Sequence, residues 1–208
     1  MGSTQLVAKL VGAGAIRSNV VEDAFDAVDR VWFVPEMERG RAYEDIPLPL
    51  GPNATISQPS TVAMMLEWLG PRMGDTVLDI GSGSGWAAAL LGHIVGPAGK
   101  VVGIERLPGL ARDAAERCRR LGYRSITIHS GDGSGGVPET SPYNRIHVGA
   151  ATPQYPDQLE NQLVNGGRLV VPVGKTEQAI WEVTRQSDTK FERKSHPGFQ
   201  FVPLITDS

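Results

Sequence analysis

From about residue 60 onward the chain alternates between short apolar runs and longer segments whose apolar residues recur every three or four positions. The short runs read as buried strands and the longer segments as helices. Helix 60–69 leads to strand 76–80, helix 86–95 to strand 101–105, and helix 107–121 to strand 125–129; strand 145–149 is followed by helix 157–163 and strand 168–172. Strands separated by helices pair in parallel, so the pattern predicts an α/β fold with helices on both faces of a sheet. The tail departs from it. Residues 179–185 and 191–193, continuing toward 199–202, read as strands with no helix between them. They complete a seven-stranded, mostly parallel sheet with an antiparallel last strand. Ahead of residue 60, positions 4–40 read as helical in two segments broken near Gly12 and Gly14. The second, 19–31, carries Val20, Val21, Ala24, Phe25, Ala27, Val28 and Val31 as a helical stripe. Pro47, Pro49, Pro52, Pro59 and Gly51 make 41–59 a loop with a short extended piece at most. We expect a single domain over 1–208, with 1–59 covering a site built on 60–208.

The strand at 76–80 ends in the chain's most telling residues. Asp79-Ile80 is followed by Gly81-Ser82-Gly83-Ser84-Gly85 and then by a helix beginning at Trp86. A strand that turns sharply into a helix exposes free backbone N–H groups, and glycines let a ligand approach them closely. The dinucleotide fingerprint G-x-G-x-x-G does not fit, because its third glycine would fall on Trp86. Asp79 would repel a pyrophosphate but suits a ligand carrying an ammonium group. Glu105 ends the next strand, 20 residues beyond Gly85, the distance at which such folds hydrogen-bond a ribose diol. Gly131-Asp132-Gly133 follows the third strand, where Asp132 can accept from an adenine amine. Three acidic residues at successive strand ends face one crevice, the place where open α/β sheets bind ligands.

Composition narrows the field. The 208 residues are 40% hydrophobic and 21% charged, ordinary values for a water-soluble globular chain. A formal net charge of −3 argues against general affinity for nucleic-acid phosphates. Cys118 is alone, so no disulfide forms within the chain, and we expect a packed or half-exposed thiol without a role. His93, His129, His147 and His196 show no metal-ligand spacing and read as structural or surface residues. No apolar run approaches the roughly 20 residues needed to span a bilayer, and no secretory segment opens the chain. The expectation is a cytoplasmic protein, without membrane or nucleic-acid partners and without a metal.

The segment Asn53-Ala54-Thr55-Ile56-Ser57-Gln58-Pro59 is polar and uncharged. By itself it reads as a helix entry capped by Ser57 or Ser60. With Val34-Pro35, Ala42-Tyr43-Glu44-Asp45, Leu48-Pro49-Leu50-Gly51, the glycine run, Gly131-Asp132-Gly133, Val148-Gly149-Ala150-Ala151, Arg168–Gly174 and Phe201-Val202-Pro203-Leu204, it resembles the protein-L-isoaspartate (D-aspartate) O-methyltransferase family. The Thr-Ile-Ser-Gln-Pro loop is particular to that family, whereas the glycine run is motif I of many S-adenosylmethionine-dependent methyltransferases. The resemblance implies a Rossmann-like class I methyltransferase fold. It implies S-adenosyl-L-methionine as methyl donor and S-adenosyl-L-homocysteine as product. The substrates would be proteins and peptides carrying L-isoaspartyl, and in some members D-aspartyl, residues. Methylation of the free α-carboxylate would give an ester that collapses to a succinimide without the enzyme. The family's active-site serine maps onto Ser57. Its cofactor contacts map onto Thr55, Ile56, Ser57, Asp79, Gly81, Ser82, Gly83, Gly85, Glu105, Asp132 and Gly133. Its substrate-side backbone maps onto Val148–Ala151, with the amides of Ala150 and Ala151 as holders of a carboxylate oxygen. A monomer is expected.

A carboxylate is already ionised near neutral pH and a sulfonium is an activated leaving group, so neither a base nor an acid is needed. What remains is positioning and exclusion of water, with Ser57 as a donor that orients the nucleophile. Trp86 either fills the helix–sheet interface, the reading that packing favours, or lies under the methionine end of the cofactor. Thr152, Gln154 and Tyr155 depart from the family pattern in a loop expected to border the substrate, and Ile205–Ser208 are the residues left to close over the cofactor. Two other readings stay open: a methyltransferase tailoring a peptide or small molecule, and a non-catalytic protein that binds the same cofactor.

Overall fold

The computed structural model describes residues 2–206. Two helices open the chain, α1 (Ser3–Gly12) and α2 (Asn19–Ala27), followed by 3-10 turns at Arg30–Phe33 and Glu36–Arg41 and a small hairpin of β1 (Leu48–Gly51) and β2 (Ala54–Ile56). Then come α3 (Pro59–Leu69), β3 (Thr76–Ile80), α4 (Trp86–Val95), β4 (Lys100–Glu105), α5 (Pro108–Arg120) and β5 (Ile126–Ser130). The rest is β6 (Tyr143–Val148), α6 (Asp157–Glu160), β7 (Leu163–Val173), β8 (Gln178–Arg185) and β9 (Phe191–Phe199). The main sheet has seven strands in the order β5-β4-β3-β6-β7-β8-β9. The first five are parallel; β8 runs against β7, and β9 runs against β8. Chain order reverses between β3 and β6, which opens a crevice at their carboxyl ends.

Strand alternation sorts the core into two layers. Val77, Val101, Ile128, Val170 and Ile180 face a cluster built with α1 to α5, while Leu78, Ile80, Val102, Ile146, Val148, Leu169 and Val171 face the other way. Helices thus cover both faces unequally, since α6 contributes only Leu159 to the second layer. Cys118 is buried in the first, and burial pushes its thiol up to about 12, which makes it an inert packing group.

Four elements differ from the pattern-based expectation. Residues 41–59, expected as a loop with a short extended piece at most, hold the antiparallel hairpin of β1 and β2, closed by the left-handed Asn53. Helix 19–31 stops at Ala27, because the Asp29 carboxylate accepts from the Val31 amide and nucleates a separate 3-10 turn. Helix 157–163 is one turn long, since the sheet captures the chain: the Tyr143 amide donates to Gln162 O and Leu163 pairs with Tyr143. The following strand therefore spans Leu163–Val173 rather than 168–172, with Gly166 at φ +82° near a register shift that the pattern reads as a break.

Gly103, in the middle of β4, lets the glycine loop lie close on the sheet. A Cβ there would stand 2.6 Å from Ser82 Oγ and 2.8 Å from Ile128 Cγ1. Gly103→Ala should therefore overpack this layer and lower stability by about 1–3 kcal/mol. A urea midpoint equal to that of the parent would contradict this packing.

Candidate active site

Past Ile80 the chain turns through Gly81, Gly83 and Gly85 at φ +73°, +54° and +85°, left-handed values that side chains disfavour. The amides of Gly81 and Ser82 donate to Ile104 O (2.8 and 3.3 Å). Glu105 fastens the loop further. Its Oε2 accepts from the Gly83 amide and its Oε1 from the Leu107 amide, both at 2.9 Å, while the residue lines the cavity over the crevice. Gly85 is the N-cap residue of α4, packed against Ala114 and Cys118, and lines none of the three cavities at the crevice.

Three cavities meet at the crevice. The first is lined by Ile80, Gly81, Gly83, Glu105, Gly133 and Ala150, with Val202–Ile205 as one wall. The second is an open groove of about 610 Å³ between Thr55, Ser57, Ser60 and Met64 on one side and Gly198–Val202 on the other. A small inner cavity lies among Ile56, Ser57, Ser82, Ser84, Trp86 and His147. Thr55 and Gly149 line all three, so this is where their contents come together.

The expected residues fall unevenly around this junction. Ser57 lines the groove and the inner cavity, and its hydroxyl makes no hydrogen bond among the described residues. Neither Ser57 nor Ser60 caps α3: Asp45 Oδ1 takes the Ser60 amide at 2.8 Å. Asp132 turns its Oδ1 to the Ser134 amide at 2.8 Å, and its neighbour Gly133 is the one in the cavity wall. Val148 is buried in the second core layer, and Gly149 stands at the junction in its place. The Ala151 amide is already committed to Val202 O (2.8 Å), and Ala151 O accepts from the Leu204 amide (2.8 Å). It cannot hold a carboxylate as expected; the Ala150 amide, bonded to no described residue, remains. Tyr155 leaves the crevice altogether. It stacks edge-on against Trp181 and donates to Glu160, itself paired with Arg193. Asp207 and Ser208, at the end of the segment expected to close over the cofactor, lie outside the described residues.

Asp79 is fully buried, yet it lines none of these cavities. Its Oδ1 lies 2.7 Å from His147 Nδ1, across the register pair Asp79↔His147 of β3 and β6. It is His147 that reaches the inner cavity. Composition and spacing hid this residue, but one signal was present: a polar side chain inside an apolar strand, at the same distance from its strand end as Asp79.

Trp86 is a packing residue that also borders a cavity. It packs edge-on to Phe25 at 5.4 Å, donates to Val28 O, and also lines the inner cavity. Above its ring, at 5.3 Å from the centroid, sits the buried guanidinium of Arg30. Arg30 donates to four carbonyls of the irregular segment: Ala42 (2.8 Å), Glu44 (3.2 Å), Ile46 (3.0 Å) and Ser57 (3.1 Å).

A mostly parallel sheet with a reversal at β3 and β6, a glycine loop that departs from the dinucleotide spacing, a carboxylate at the end of the neighbouring strand and an antiparallel sheet edge together match the class I methyltransferases. The family model described as protein-L-isoaspartate(D-aspartate) O-methyltransferase (PCMT) matches residues 1–208. The chain is 45% identical over 203 residues to the protein-L-isoaspartate O-methyltransferase of Methanopyrus kandleri, covering 97% of this chain and 90% of that one. It is 43% identical to that of Methanothermobacter thermautotrophicus, covering 97% and 94%. In fold it superposes on a Plasmodium falciparum protein of that description, crystallised with S-adenosyl-L-homocysteine, with a TM-score of 0.88 over 100% of both chains at 23% identity. The chain belongs to the protein-L-isoaspartate (D-aspartate) O-methyltransferase family.

If Arg30 holds the Ser57 segment, Arg30→Met should leave four carbonyls without their donor and cost about 3–5 kcal/mol, as for a broken buried hydrogen-bond network. Amide exchange over residues 42–58 should accelerate well beyond that of β3. Equal protection of both segments in the variant would show that the hairpin stands without Arg30.

Proposed function

We infer that this chain is an S-adenosylmethionine-dependent protein carboxyl O-methyltransferase that methylates the free α-carboxylate of L-isoaspartyl residues in proteins and peptides. The junction at Thr55 and Gly149 carries this reading. On one side lies a cavity with the glycine loop and Glu105, on the other a groove open to a polypeptide. The left-handed glycines leave the backbone open to a ligand, and Glu105, though bonded to two amides, keeps lone pairs for a ribose diol. These residues fit S-adenosylmethionine, which supplies an activated methyl group when bound. Thr55, Ile56, Gly81, Ser82, Gly83, Glu105 and Gly133 would hold it, with Asp132 beside them. We further propose that residues 1–59 and 60–208 act as one domain, because α1, α2 and the hairpin share a core cluster with β3 and β4. No helix among the described residues is long and apolar enough to cross a membrane; we place the protein in the cytoplasm.

The chain's own groups have little proton chemistry to do. The substrate carboxylate arrives ionised. Ser57 donates its hydroxyl to one oxygen, and the Ala150 amide donates to the other. Among the described residues no lysine or arginine lines the groove. That suits a carboxylate nucleophile, whose reactivity a tight ion pair would blunt. Phe199, Phe201, Val202 and Met64 take water away from the reacting oxygen, and Arg30 fixes Ser57 through its carbonyl.

A peptide prepared in matched isoaspartyl and aspartyl forms tests the activity: methyl transfer to the first and not the second is expected, and equal labelling would point to a general carboxyl methyltransferase. Ser57→Ala should lower turnover by about ten- to a hundredfold, the worth of one hydrogen bond to a charged group, with S-adenosylhomocysteine affinity nearly unchanged. Full activity would remove Ser57 from the mechanism. Glu105→Ala should weaken S-adenosylhomocysteine binding by at least about tenfold, because it removes an acceptor and unties Gly83 as well; calorimetry showing parent affinity would exclude the assignment.

A further inference from the structure

We propose that His147 binds the amino-acid end of the cofactor, accepting a hydrogen bond from its ammonium group through Nε2, while Asp79 orients the ring from behind. This rests on the S-adenosylmethionine reading above and assigns a contact that the motif alone would give to Asp79.

Asp79 and His147 are register partners on adjacent parallel strands, so their side chains leave the same face of the sheet side by side. The Nδ1 to Oδ1 distance of 2.7 Å marks a strong hydrogen bond between groups 3% and 0% exposed. An ionised Asp79 can only accept, so the proton sits on Nδ1 and Nε2 carries a lone pair. That Nε2 is buried and has no hydrogen-bond partner among the described residues. A buried nitrogen left without a partner costs stability, so its position needs a reason. His147 forms part of the inner cavity, beside Gly81, Ser82 and Ser84 at the start of α4.

The cavity is therefore polarised in a particular sense. At one wall the first turn of α4 presents backbone N–H groups and the positive end of the helix dipole, which suit a carboxylate. At another wall an imidazole lone pair, held in place by the carboxylate behind it, suits a cation that can donate. An α-amino acid is a zwitterion with these two groups on one carbon. Asp79 Oδ2 is also buried without a hydrogen-bond partner among the described residues, but Asp79 lines none of the three cavities, whereas His147 lines the inner one. A neutral imidazole also avoids setting a second cation near a sulfonium.

Calorimetry with three ligands tests this: S-adenosylhomocysteine, its analogue with hydrogen in place of the amino group, and 5′-methylthioadenosine, which lacks the whole amino-acid end. The parent should bind the des-amino analogue at least about tenfold more weakly than S-adenosylhomocysteine, the size expected for one hydrogen bond to a charged group. His147→Phe should lose a similar factor for S-adenosylhomocysteine and almost nothing for the other two ligands, while His147→Gln, which retains an acceptor, should recover part of it. Equal losses for all three ligands would mean a packing role, and unchanged S-adenosylhomocysteine affinity would mean no role; either overturns the proposal. A fall in peptide turnover with intact cofactor affinity would overturn it too, by placing His147 on the substrate side. A readout needing no variant is the 15N shift of His147 Nε2. It should move on adding S-adenosylhomocysteine and stay still with methylthioadenosine. If the parent binds none of the three ligands, the cofactor reading itself fails; if it binds all three and loses them equally, only the His147 assignment does.

Discussion

The site depends on one buried cation. Residues 42–57 form a turn, a two-strand hairpin and a loop, and none of them joins the main sheet. Backbone groups in such a segment must find partners or face water. Arg30 supplies four hydrogen bonds from one planar group, a pattern that a lysine cannot copy. Burial lowers its pKa to about 10, partly offset by the attraction of Asp45, so the group stays charged at neutral pH. Asp45 in turn caps the first turn of α3. The Trp86 ring below the guanidinium closes the arrangement on the α4 side. Ser57 is thus located by a 3-10 turn, a hairpin, and the first turns of two helices at once. This gives a bulky residue after the glycine run a purpose: a smaller one would leave the guanidinium without its platform.

A second constraint operates at the crevice. Glu105 is bonded to amides on both sides of it, Gly83 and Leu107, so the glycine loop and the start of α5 are held by the same carboxylate that faces the cavity. Asp79 has the complementary fate. It stands at the motif's acidic position but lines none of the three cavities, and its hydrogen-bond partner His147 lines the inner one. Of two carboxylates at neighbouring strand ends, one borders a cavity directly and the other stands behind a partner that does.

Much of this was legible in the sequence, for identifiable reasons. Sheet and helix alternation from residue 60 follows hydrophobic period alone, and the glycine run announces its turn through residues that tolerate left-handed backbone. The acidic strand ends were legible as a set, because each closes an apolar run. What escaped notice depended on partners distant in sequence. The end of α2 is decided by Asp29 turning back on Val31, and the shortness of α6 by a ladder with β6. The Ala151 amide is taken by Val202, about fifty residues later in the chain. His147 matters only once β3 and β6 are set in register. Nothing local to Arg30 says that four carbonyls will converge on it.

The tail explains how so few polar groups suffice. Residues after β9 cross the crevice, tied by Ala151 on one side and by the Gln178 side chain, which bonds both N and O of Phe201. Val202 consequently walls the cavity that fits the cofactor and the groove that fits the substrate. Thr55 and Gly149 line both of these and the inner cavity, so the three meet there. A reaction that consists of bringing a carboxylate oxygen in line with a methyl group needs that junction to be narrow, dry and fixed. Here the tail, the hairpin and the end of β6 define it with backbone and small side chains. Charge is kept back from the groove: Glu105 lies on the cofactor side, and Arg30 spends its donors on carbonyls.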